Sequence, residues 1–221
     1  MRVVLIGART DGLAQWVLEN AREHAGHEVV GFLDETPALQ GARVFDLPVL
    51  GPPAAAERAI DAGAEGVLFA IGHGPARARM APGLKEAGLQ LVSLVCPGAV
   101  IASSAEVGEG VLIGTNAVVS TGTRVEDLAI VLSLSCVGHH AHVGHAATLS
   151  GGVLLGGRAR IGARTLVGLG AKVMSDVHVG ADVTVGAGAL VTKDVPDGIR
   201  VAGVPAKPLE DPPDQVSPSL P

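Results

Sequence analysis

The stretch SCVGHH AHVGHA ATLSGG VLLGGR ARIGAR, residues 135–164, decides the fold because it can be written without a gap in a frame of six. The frame extends in both directions, from Ala99 through sixteen hexads to Asp194. Its third position is always Ile, Val or Leu, its first is Ala, Val, Thr or Ser, and its fourth is often Gly. Such regularity at a fixed six-residue period predicts a parallel β-helix.

Each hexad is expected to supply one short strand and one corner of a triangular coil, so that three hexads complete a turn. Residues 18 apart should then stack in one column at the usual strand spacing of about 4.8 Å. A sandwich of short strands is the alternative, but irregular turns would not hold a six-residue frame over this length. The spacing leaves the handedness open, because parallel crossovers are normally right-handed and nothing in the repeat reverses that.

Aromatic residues divide the chain into two parts. Trp16, Phe32, Phe45 and Phe69 all lie in the first third, and no aromatic ring follows. A long aliphatic, glycine-rich segment without rings indicates an interior too narrow to hold one. We therefore predict an α/β domain over residues 1–95 and a β-helix over 96–207. Residues 208–221, rich in proline and poor in apolar anchors, are expected to form a disordered tail.

Composition disfavours several classes of protein. The formal net charge of -6 and the sequence pI near 5.7 leave no basic stripe for a nucleic acid. No segment approaches the roughly 20 apolar residues of a membrane span, and MRVVLIGA does not resemble a secretory signal. Cys96 and Cys136 match no spacing of paired metal ligands, and we expect both to be reduced thiols. A cytoplasmic protein is expected.

The first 95 residues predict a small parallel α/β sheet. Residues 3–35 have the order strand, glycine turn, amphipathic helix, strand, and further strands are expected at 66–72 and 89–95. The turn departs from the dinucleotide fingerprint G-x-G-x-x-G, because Arg9 stands where a glycine is required between Gly7 and Gly12. NAD binding is therefore disfavoured. A turn that only connects strand and helix is the alternative to a nucleotide site.

The hexads resemble the [LIV]-G-x-x-A-x pattern of the left-handed β-helix acyltransferases, which implies a left-handed coil and a homotrimer with active sites between subunits. The order of the two domains resembles the nucleotide-aminosugar N-acetyltransferases and the sialic acid O-acetyltransferases. Members of that group show G-A-x-G-H-G, F-L-D-D and I-G-N motifs, where this chain has GARTDG, GFLDE and AIGHG. Arg9, Asp11 and His73 depart from these motifs, which leaves the particular nucleotide open.

The resemblance implies that the first domain binds a nucleotide sugar, UDP-linked in the members that match best. The residues at the three motifs become the candidate substrate-binding residues: Gly7, Arg9, Gly12, Asp34, Glu35, Gly72 and His73.

Four of the eight histidines lie in GHHAHVGH, residues 138–145. His140 and His145 have the spacing of zinc ligands in the γ-class carbonic anhydrases, but no histidine between His73 and His139 supplies the third ligand, so no metal is expected. The resembled acetyltransferases carry approximately V-x-H-[DE]-x-x-I-G here, which implies that His139 is the general base and acetyl-CoA the acyl donor. His140 replaces their acidic residue, and a neutral imidazole can orient His139 but cannot neutralise its charge.

Gly157 follows His139 by 18 residues and should lie directly above it, where its N–H could stabilise the oxyanion of the thioester. Turn geometry alone is the alternative reason for that glycine. His145 is one hexad beyond His139, and Thr148 stands where family members often carry a further histidine. Both are candidates for the acyl-CoA site.

The G-x-P-A-K ending at residues 203–207 matches one that is common in the family and implies that Gly203 and Lys207 border the coenzyme A site. Lys207 could contact a phosphate as a point charge. A cap on the last coil is the alternative, because a repeat array needs one in any case.

The resemblance therefore implies an acetyl-CoA-dependent N-acetyltransferase that acts on a nucleotide-linked 4-amino-dideoxy sugar, with His139 and His140 as catalytic residues. A missing carboxylate partner would impair O-acetylation more than N-acetylation, because an amine is already nucleophilic. Sialic acid O-acetylation, a non-catalytic ligand-binding trimer and metal-dependent hydration are the alternatives, in that order.

Overall fold

The N-terminal part of the computed structural model, which describes residues 1–10 and 12–209, is a six-stranded sheet with three α-helices. The strand order is β3-β4-β2-β1-β5-β6, and all pairs are parallel except the β3–β4 hairpin at the edge. The strands are β1 (Arg2–Ile6), β2 (Glu28–Leu33), β3 (Arg43–Val44), β4 (Leu47–Gly51), β5 (Gly66–Phe69) and β6 (Gln90–Leu91). The helices are α1 (Ala14–Glu23), α2 (Ala56–Asp61) and α3 (Gly74–Glu86), with 3-10 turns at Pro37–Leu39 and Pro53–Ala55.

The predicted β-helix is confirmed, and its rungs form three parallel sheets that we call faces A, B and C. Face A contains β7 (Leu94–Val95), β10 (Leu112–Ile113), β13 (Ile130–Val131), β16 (Thr148–Leu149), β19 (Leu166–Val167), β22 (Thr184–Val185), β24 (Arg200–Ala202) and β25 (Lys207–Pro208). Face B contains β8 (Val100–Ile101), β11 (Val118–Val119), β14 (Cys136–Val137), β17 (Leu154–Leu155), β20 (Lys172–Val173) and β23 (Leu190–Val191). Face C contains β9 (Glu106–Val107), β12 (Arg124–Val125), β15 (His142–Val143), β18 (Arg160–Ile161) and β21 (His178–Val179).

Residues 18 apart pair in register on every face, as the column rule predicts. On face B, for example, Cys136 lies beside Val118 on one side and Leu154 on the other. The interior cluster consists of Val, Leu, Ile and Ala alone, in agreement with a coil too narrow for rings. The second hexad position of each strand points outward, so each face has its own outer column.

The corners turn through a left-handed residue at the sixth hexad position. Non-glycine residues with φ between 54° and 65° occupy it at Asn116, Leu128, Leu134, His140, Ala146, Arg158, Arg164, Asp176 and Asp182. This conformation costs free energy for most L-residues, but Asn, Asp and His tolerate it better than others. The corners therefore direct several polar side chains into solvent at regular intervals.

The N-terminal domain packs on the outside of face A and on the corner between faces C and A. Leu112 and Ile130 point outward from face A, yet they are 4% and 1% exposed because they join the core of the sheet domain. Leu128 and Ala146 of the C–A corner join a second core beneath α3. The two parts therefore share continuous apolar cores.

Both predicted boundaries of the β-helix differ slightly from the observed ones. The predicted strand at 89–95 divides into β6, which pairs in the first sheet, and β7, which is already a rung of face A because the Leu94 N–H donates to Val111 O. The β-helix thus begins two residues before position 96. At the other end β25 extends to Pro208, which pairs with Val201, so ordered pairing reaches into the segment predicted as a tail. Residues 210–221 of that segment lie outside the described residues.

Candidate active site

His139 and His140 lie together on the corner between faces B and C, in the four residues that connect β14 to β15. Both side chains are exposed. Their Nδ1 atoms are 3.2 Å apart, and the rings meet edge to face with centroids 5.4 Å apart. One ring must donate its Nδ1–H to the other, because two neutral Nδ1 atoms at hydrogen-bond distance can share only one proton. If His139 donates, its Nε2 keeps a free lone pair and can accept a proton from a substrate.

Two glycines on adjacent coils make room for these rings. A Cβ at Gly157 would lie 2.6 Å from Cε1 of His139 and closer still to Nε2. A Cβ at Gly122, one coil below, would lie 2.7 Å from Cδ2 of His140. Both distances are shorter than any real contact of a Cβ atom allows. The ring of His139 therefore packs directly on the backbone of Gly157, as the column rule predicted for this pair.

An ion pair of Arg158 and Asp176 continues the same corner above His140. Nε and Nη2 of Arg158 donate to the two carboxylate oxygens of Asp176 at 2.6 and 2.8 Å. The hydrogen bond and charge of Arg158 lower the pKa of Asp176, and the charge of His139 lowers it further. Both partners are more than half exposed, so the pair contributes little to stability by itself.

His142, on the outer side of face C, belongs to a network with Glu126. Nε2 of His142 lies 2.9 Å from Oε1 of Glu126, whose other oxygen accepts the backbone N–H of His145 at 2.8 Å. Burial raises the pKa of the Glu126 carboxyl, but the hydrogen bonds from His142 and His145 outweigh it and leave the pKa lowered. His145 lines a polar groove of about 410 Å³ together with Glu126 and Asp127.

A cavity of about 600 Å³ lies between the N-terminal domain and face A. Six of the seven predicted substrate residues line it: Gly7, Arg9, Gly12, Asp34, Gly72 and His73. The opposite wall comes from the β-helix and includes Thr148, Ser150, Arg164, Leu166, Asp182 and Thr184. These residues meet because the carboxyl ends of β1, β2 and β5 open onto face A, where parallel sheets usually bind their ligands. Asp11 of the same turn lies outside the described residues.

The two predicted carboxylates behave differently. Asp34 is 6% exposed, and its oxygens accept the N–H groups of Ala8 and Thr36 at 2.6 and 2.7 Å. It therefore shapes the wall of the cavity by holding two loops together. Glu35 does not line the cavity; its carboxylate binds Arg79 of α3 at 2.7 Å on the exposed surface. The side chains of consecutive residues leave an extended backbone on opposite sides, which explains the difference.

Arg77 was not predicted, and it joins the two domains. Its guanidinium is completely buried and donates to the carbonyl oxygens of Leu128, Ile71, Ala146 and Ala147 and to Oγ1 of Thr148, at 2.8–3.2 Å. Burial lowers the pKa of Arg77 to about 9, so it keeps its charge at neutral pH. Arg77 is one of two arginines in the stretch PARARM of α3, and nothing in the sequence singles it out from Arg79.

Thr148 lies in this junction and not beside His139. Its hydroxyl accepts from Arg77 and donates to Gly72 O at 2.9 Å, so it supports the loop of the cavity. Arg164 and Asp182 were also missed. Nε and Nη2 of Arg164 bind the Asp182 carboxylate at 2.8 and 2.5 Å, and the 18-residue column rule could have identified this pair from the sequence.

The C-terminal residues fold back over the last coil. β24 and β25 form an antiparallel hairpin. Gly203 lies in the turn of this hairpin, and its carbonyl oxygen accepts the Leu190 N–H. Lys207 lines a cavity of about 310 Å³ beside Lys193 and Pro205. The segment therefore covers the end of the last coil and, through Lys207, lines a cavity beside it.

The described residues contain no group of three or more His, Cys, Asp or Glu side chains arranged to hold a metal ion. Among the same residues, no helix has the length and hydropathy that crossing a lipid bilayer requires.

Comparison with known proteins relates this geometry to solved structures. The family model for the hexapeptide repeat of succinyl-transferase matches residues 105–131 and 158–193. No curated protein sequence matches the chain significantly. A histidine-to-asparagine variant of perosamine N-acetyltransferase from Caulobacter crescentus, in complex with CoA and GDP-perosamine, is 32% identical, with 96% of this chain and 98% of that chain covered and a TM-score of 0.88.

Two further structures extend the comparison. The acetyltransferase domain of PglB from Neisseria gonorrhoeae, in complex with acetyl coenzyme A, is 32% identical over 94% of this chain and 98% of that chain, with a TM-score of 0.83. WeeI from Acinetobacter baumannii is 24% identical, with 95% of this chain and 100% of that chain covered and a TM-score of 0.83, which shows the fold alone.

Proposed function

This chain belongs to the hexapeptide-repeat sugar acetyltransferases, which fold as left-handed parallel β-helices and use acetyl-CoA, and we propose that it acetylates the amino group of a nucleotide-linked 4-amino-dideoxy sugar as a cytoplasmic homotrimer. His139 is the general base in this proposal. The perosamine N-acetyltransferase of Caulobacter crescentus binds GDP-perosamine and CoA, and it supports this class of substrate. UDP, expected from the sequence motifs, and GDP are the two nucleotides to test.

The cavity between the domains is the single observation that carries the proposal. Its volume of about 600 Å³ lies within the range of ligand sites and suits a nucleotide sugar. Arg9, His73 and Arg164 offer donors for phosphate or base, and the apolar side chains of Leu13, Leu132 and Leu166 offer surface for a ring. Six of the seven residues at the sequence motifs line this cavity, which supports the proposal.

His139 has the geometry that a general base requires. Its Nδ1 is engaged by His140, and its Nε2 lies toward Gly157 at an exposed corner. The sugar amine attacks the thioester carbonyl, His139 takes the proton that the nitrogen gives up, and CoA leaves as a thiol after protonation. The N–H of Gly157 is a candidate donor to the oxyanion. The substrate is the nucleophile, so no covalent enzyme intermediate forms.

The position of His139 requires a second subunit. His139 lies on the B–C corner, the one edge of the prism that does not border face A, whereas the cavity opens on face A. A sugar bound in the cavity of one chain can therefore reach only the His139 of a neighbouring copy. Lys207 and His145 remain proposed acyl-CoA contacts.

Face B is the surface that supports such an assembly. Its outer column contains Val100, Val118, Cys136, Leu154, Lys172 and Leu190, of which Val100 is 60% and Leu154 43% exposed. Large exposed aliphatic side chains in one column are typical of an interface. Face A is covered by the N-terminal domain, and the outer column of face C is charged: Glu106, Arg124, His142, Arg160 and His178.

A measurement of CoA release tests the proposal. Purified protein should release CoA from acetyl-CoA only when a UDP- or GDP-linked 4-amino-dideoxy sugar is present. His139→Ala should lower the rate of CoA release by about 10³-fold or more while the oligomer stays intact, because the variant lacks the group that accepts the proton from the amine. His178→Ala, an exposed histidine on β21, is the matched control and should retain the rate. Full activity of His139→Ala would refute the base, and tight binding of the sugar nucleotide without turnover would favour a non-catalytic trimer.

A further inference from the structure

Charged and titratable side chains line both walls of the cavity between the N-terminal domain and face A. Arg9, Asp34 and His73 come from the N-terminal domain, and Arg164 and Asp182 come from the corner between faces C and A. The two oxygens of Asp34 accept backbone N–H groups at 2.6 and 2.7 Å. A nucleotide sugar brings a diphosphate into such a cavity, and phosphate oxygens bind most strongly to donors that carry a positive charge. Among the described residues of the β-helix wall, Arg164 is the cationic one.

We propose that Arg164 binds the diphosphate of the nucleotide sugar with the end of its guanidinium while Asp182 holds the side of the same group. This inference rests on the proposed function, because it requires a nucleotide sugar in the cavity. It makes Arg164 a residue that selects for sugars carried on a diphosphate. Asp182 acts through Arg164 and is therefore a positioning residue.

The hydrogen bonds of Arg164 leave one edge of its guanidinium open. Nε and Nη2 donate to the two carboxylate oxygens of Asp182 at 2.8 and 2.5 Å. A guanidinium has five N–H groups, so both N–H groups of Nη1 and one of Nη2 remain, and no acceptor among the described residues binds them. The open edge includes one N–H of Nη1 and one of Nη2 side by side, a spacing that matches two oxygens of a phosphate group.

The coil fixes both members of the ion pair before a ligand binds. The backbone N–H of Arg164 donates to His145 O at 2.8 Å, and that of Asp182 donates to Ala163 O at 2.9 Å. The hydrogen bond from Arg164 lowers the pKa of Asp182, so the carboxylate stays charged at neutral pH. A guanidinium that is already held in place loses little further freedom when it binds phosphate, and this lowers the cost of binding.

A second ion pair of the same kind shows what distinguishes Arg164. Arg158 and Asp176 pair through the same atoms on the corner between faces B and C, so the pairing by itself is a feature of the repeat. The Arg158 side chain is 56% exposed, whereas that of Arg164 is 37% exposed and lines the cavity. The N-terminal domain stands close to Arg164, because a Cβ at Gly74 would lie 3.3 Å from Cα of Arg164. Partial removal of water strengthens a hydrogen bond from this guanidinium to an anion.

Calorimetric titration of wild type and Arg164→Met with UDP and GDP tests the inference. The nucleoside diphosphate that wild type binds should bind Arg164→Met about 30-fold more weakly, as expected for the loss of hydrogen bonds between charged groups. The affinity for the corresponding nucleoside, uridine or guanosine, measured by competition, should stay within twofold. Arg164→Lys should give an intermediate affinity, because it keeps the charge but lacks the paired N–H groups. Both variants should unfold near the wild-type temperature, since the ion pair is partly exposed.

Steady-state kinetics separate the diphosphate of the sugar nucleotide from that of coenzyme A. In Arg164→Met the KM for the sugar nucleotide should rise about 30-fold while kcat stays within about threefold, because the diphosphate is bound equally in the ground state and in the transition state. The KM for acetyl-CoA should not change. A rise confined to the KM for acetyl-CoA would assign Arg164 to coenzyme A and overturn the inference.

Arg2→Met is the matched control. It changes the net charge by the same amount and removes the exposed Arg2–Glu28 ion pair at the start of β1, whereas the cavity lies at the other end of that strand. Its affinity for the nucleoside diphosphate should equal that of wild type, and a loss as large as that of Arg164→Met would overturn the inference by showing an effect of net charge. Equal affinities of wild type and Arg164→Met would overturn it while the proposed function stands. A wild-type protein that binds neither UDP nor GDP would contradict the proposed substrate class, and the inference would fail with it.

Discussion

Replacing Arg77 by methionine tests whether one buried guanidinium holds the two domains together. The guanidinium of Arg77 lies within hydrogen-bond distance of five acceptors in the β-helix and the loop at Ile71, and the two N–H groups of Nη2 are shared among three of them. Ala147 O also accepts the Ile130 N–H, and the Thr148 hydroxyl keeps its bond to Gly72 O. The carbonyl oxygens of Leu128, Ile71 and Ala146 rely on Arg77 among the hydrogen bonds of the described residues.

The magnitude follows from those three carbonyls. Leaving a buried acceptor without a partner costs roughly 1–3 kcal/mol, and methionine recovers part of the loss because no guanidinium has to be desolvated. A net loss of about 4 kcal/mol is expected, comparable with removing one partner of a buried ion pair. For a chain of this length that corresponds to a fall in Tm of roughly 8–16 °C.

The assay compares Arg77→Met with Arg79→Met by thermal unfolding. Arg79 lies two residues away on α3, and its pair with Glu35 is exposed, so this control should cost about 1 kcal/mol or less. Amide exchange at Gly72 and His73 should also become faster in Arg77→Met alone. Equal Tm values for the two variants would refute the reasoning, because they would mean that the hydrogen bonds of Arg77 contribute no more than a surface ion pair.

Further predictions concern the corner between faces B and C, the dependence of Tm on pH, and the accessibility of face B in the native oligomer. Gly157→Ala should lower kcat by about 10²-fold with an unchanged fold by circular dichroism, because the new methyl group displaces the ring of His139; a rate near wild type would contradict the packing. Glu126→Gln should lower Tm at pH 7. The stabilisation that comes with the lowered pKa of Glu126 is complete above about pH 4.5 and is lost as the pH falls through the lower pKa of the folded state, so the difference in Tm should shrink below pH 4.5. A difference in Tm that stays constant from pH 7 down to the most acidic pH at which the protein is folded would contradict this. Cys136 should react with a maleimide in dissociated subunits and be protected in the native oligomer, while Cys96, whose pKa burial raises to about 11, should react only on unfolding. Fast labelling of Cys136 in the native protein would exclude face B as the interface.

The repeat made the β-helix predictable because its information is local. An aliphatic residue every six positions places a strand and a corner in each hexad, and the 18-residue column rule correctly placed Gly157 against His139. The cavity residues were predicted through motifs at the ends of three strands, since parallel strands end at one edge of a sheet. Glu35 fell outside the cavity because its side chain leaves the backbone on the side opposite to Asp34.

Other features depend on contacts that no local pattern contains. Arg77 looks like any arginine of an exposed helix, and its burial arises only when α3 meets the corner at Ala146. The role of Thr148 in the junction has the same origin, because its hydroxyl is bound by two groups more than 70 residues away in sequence.

The amino-acid sequence by itself determined the coil, its columns and the exposed position of the histidine pair, because inward and corner positions repeat every six residues. Only the tertiary structure decided which of the three outer faces the first domain covers. Outward side chains do not constrain the local backbone, so this choice depends on the fit between distant surfaces. That choice puts the cavity on face A and His139 on the opposite edge, and it is the reason that the proposed reaction needs a neighbouring copy.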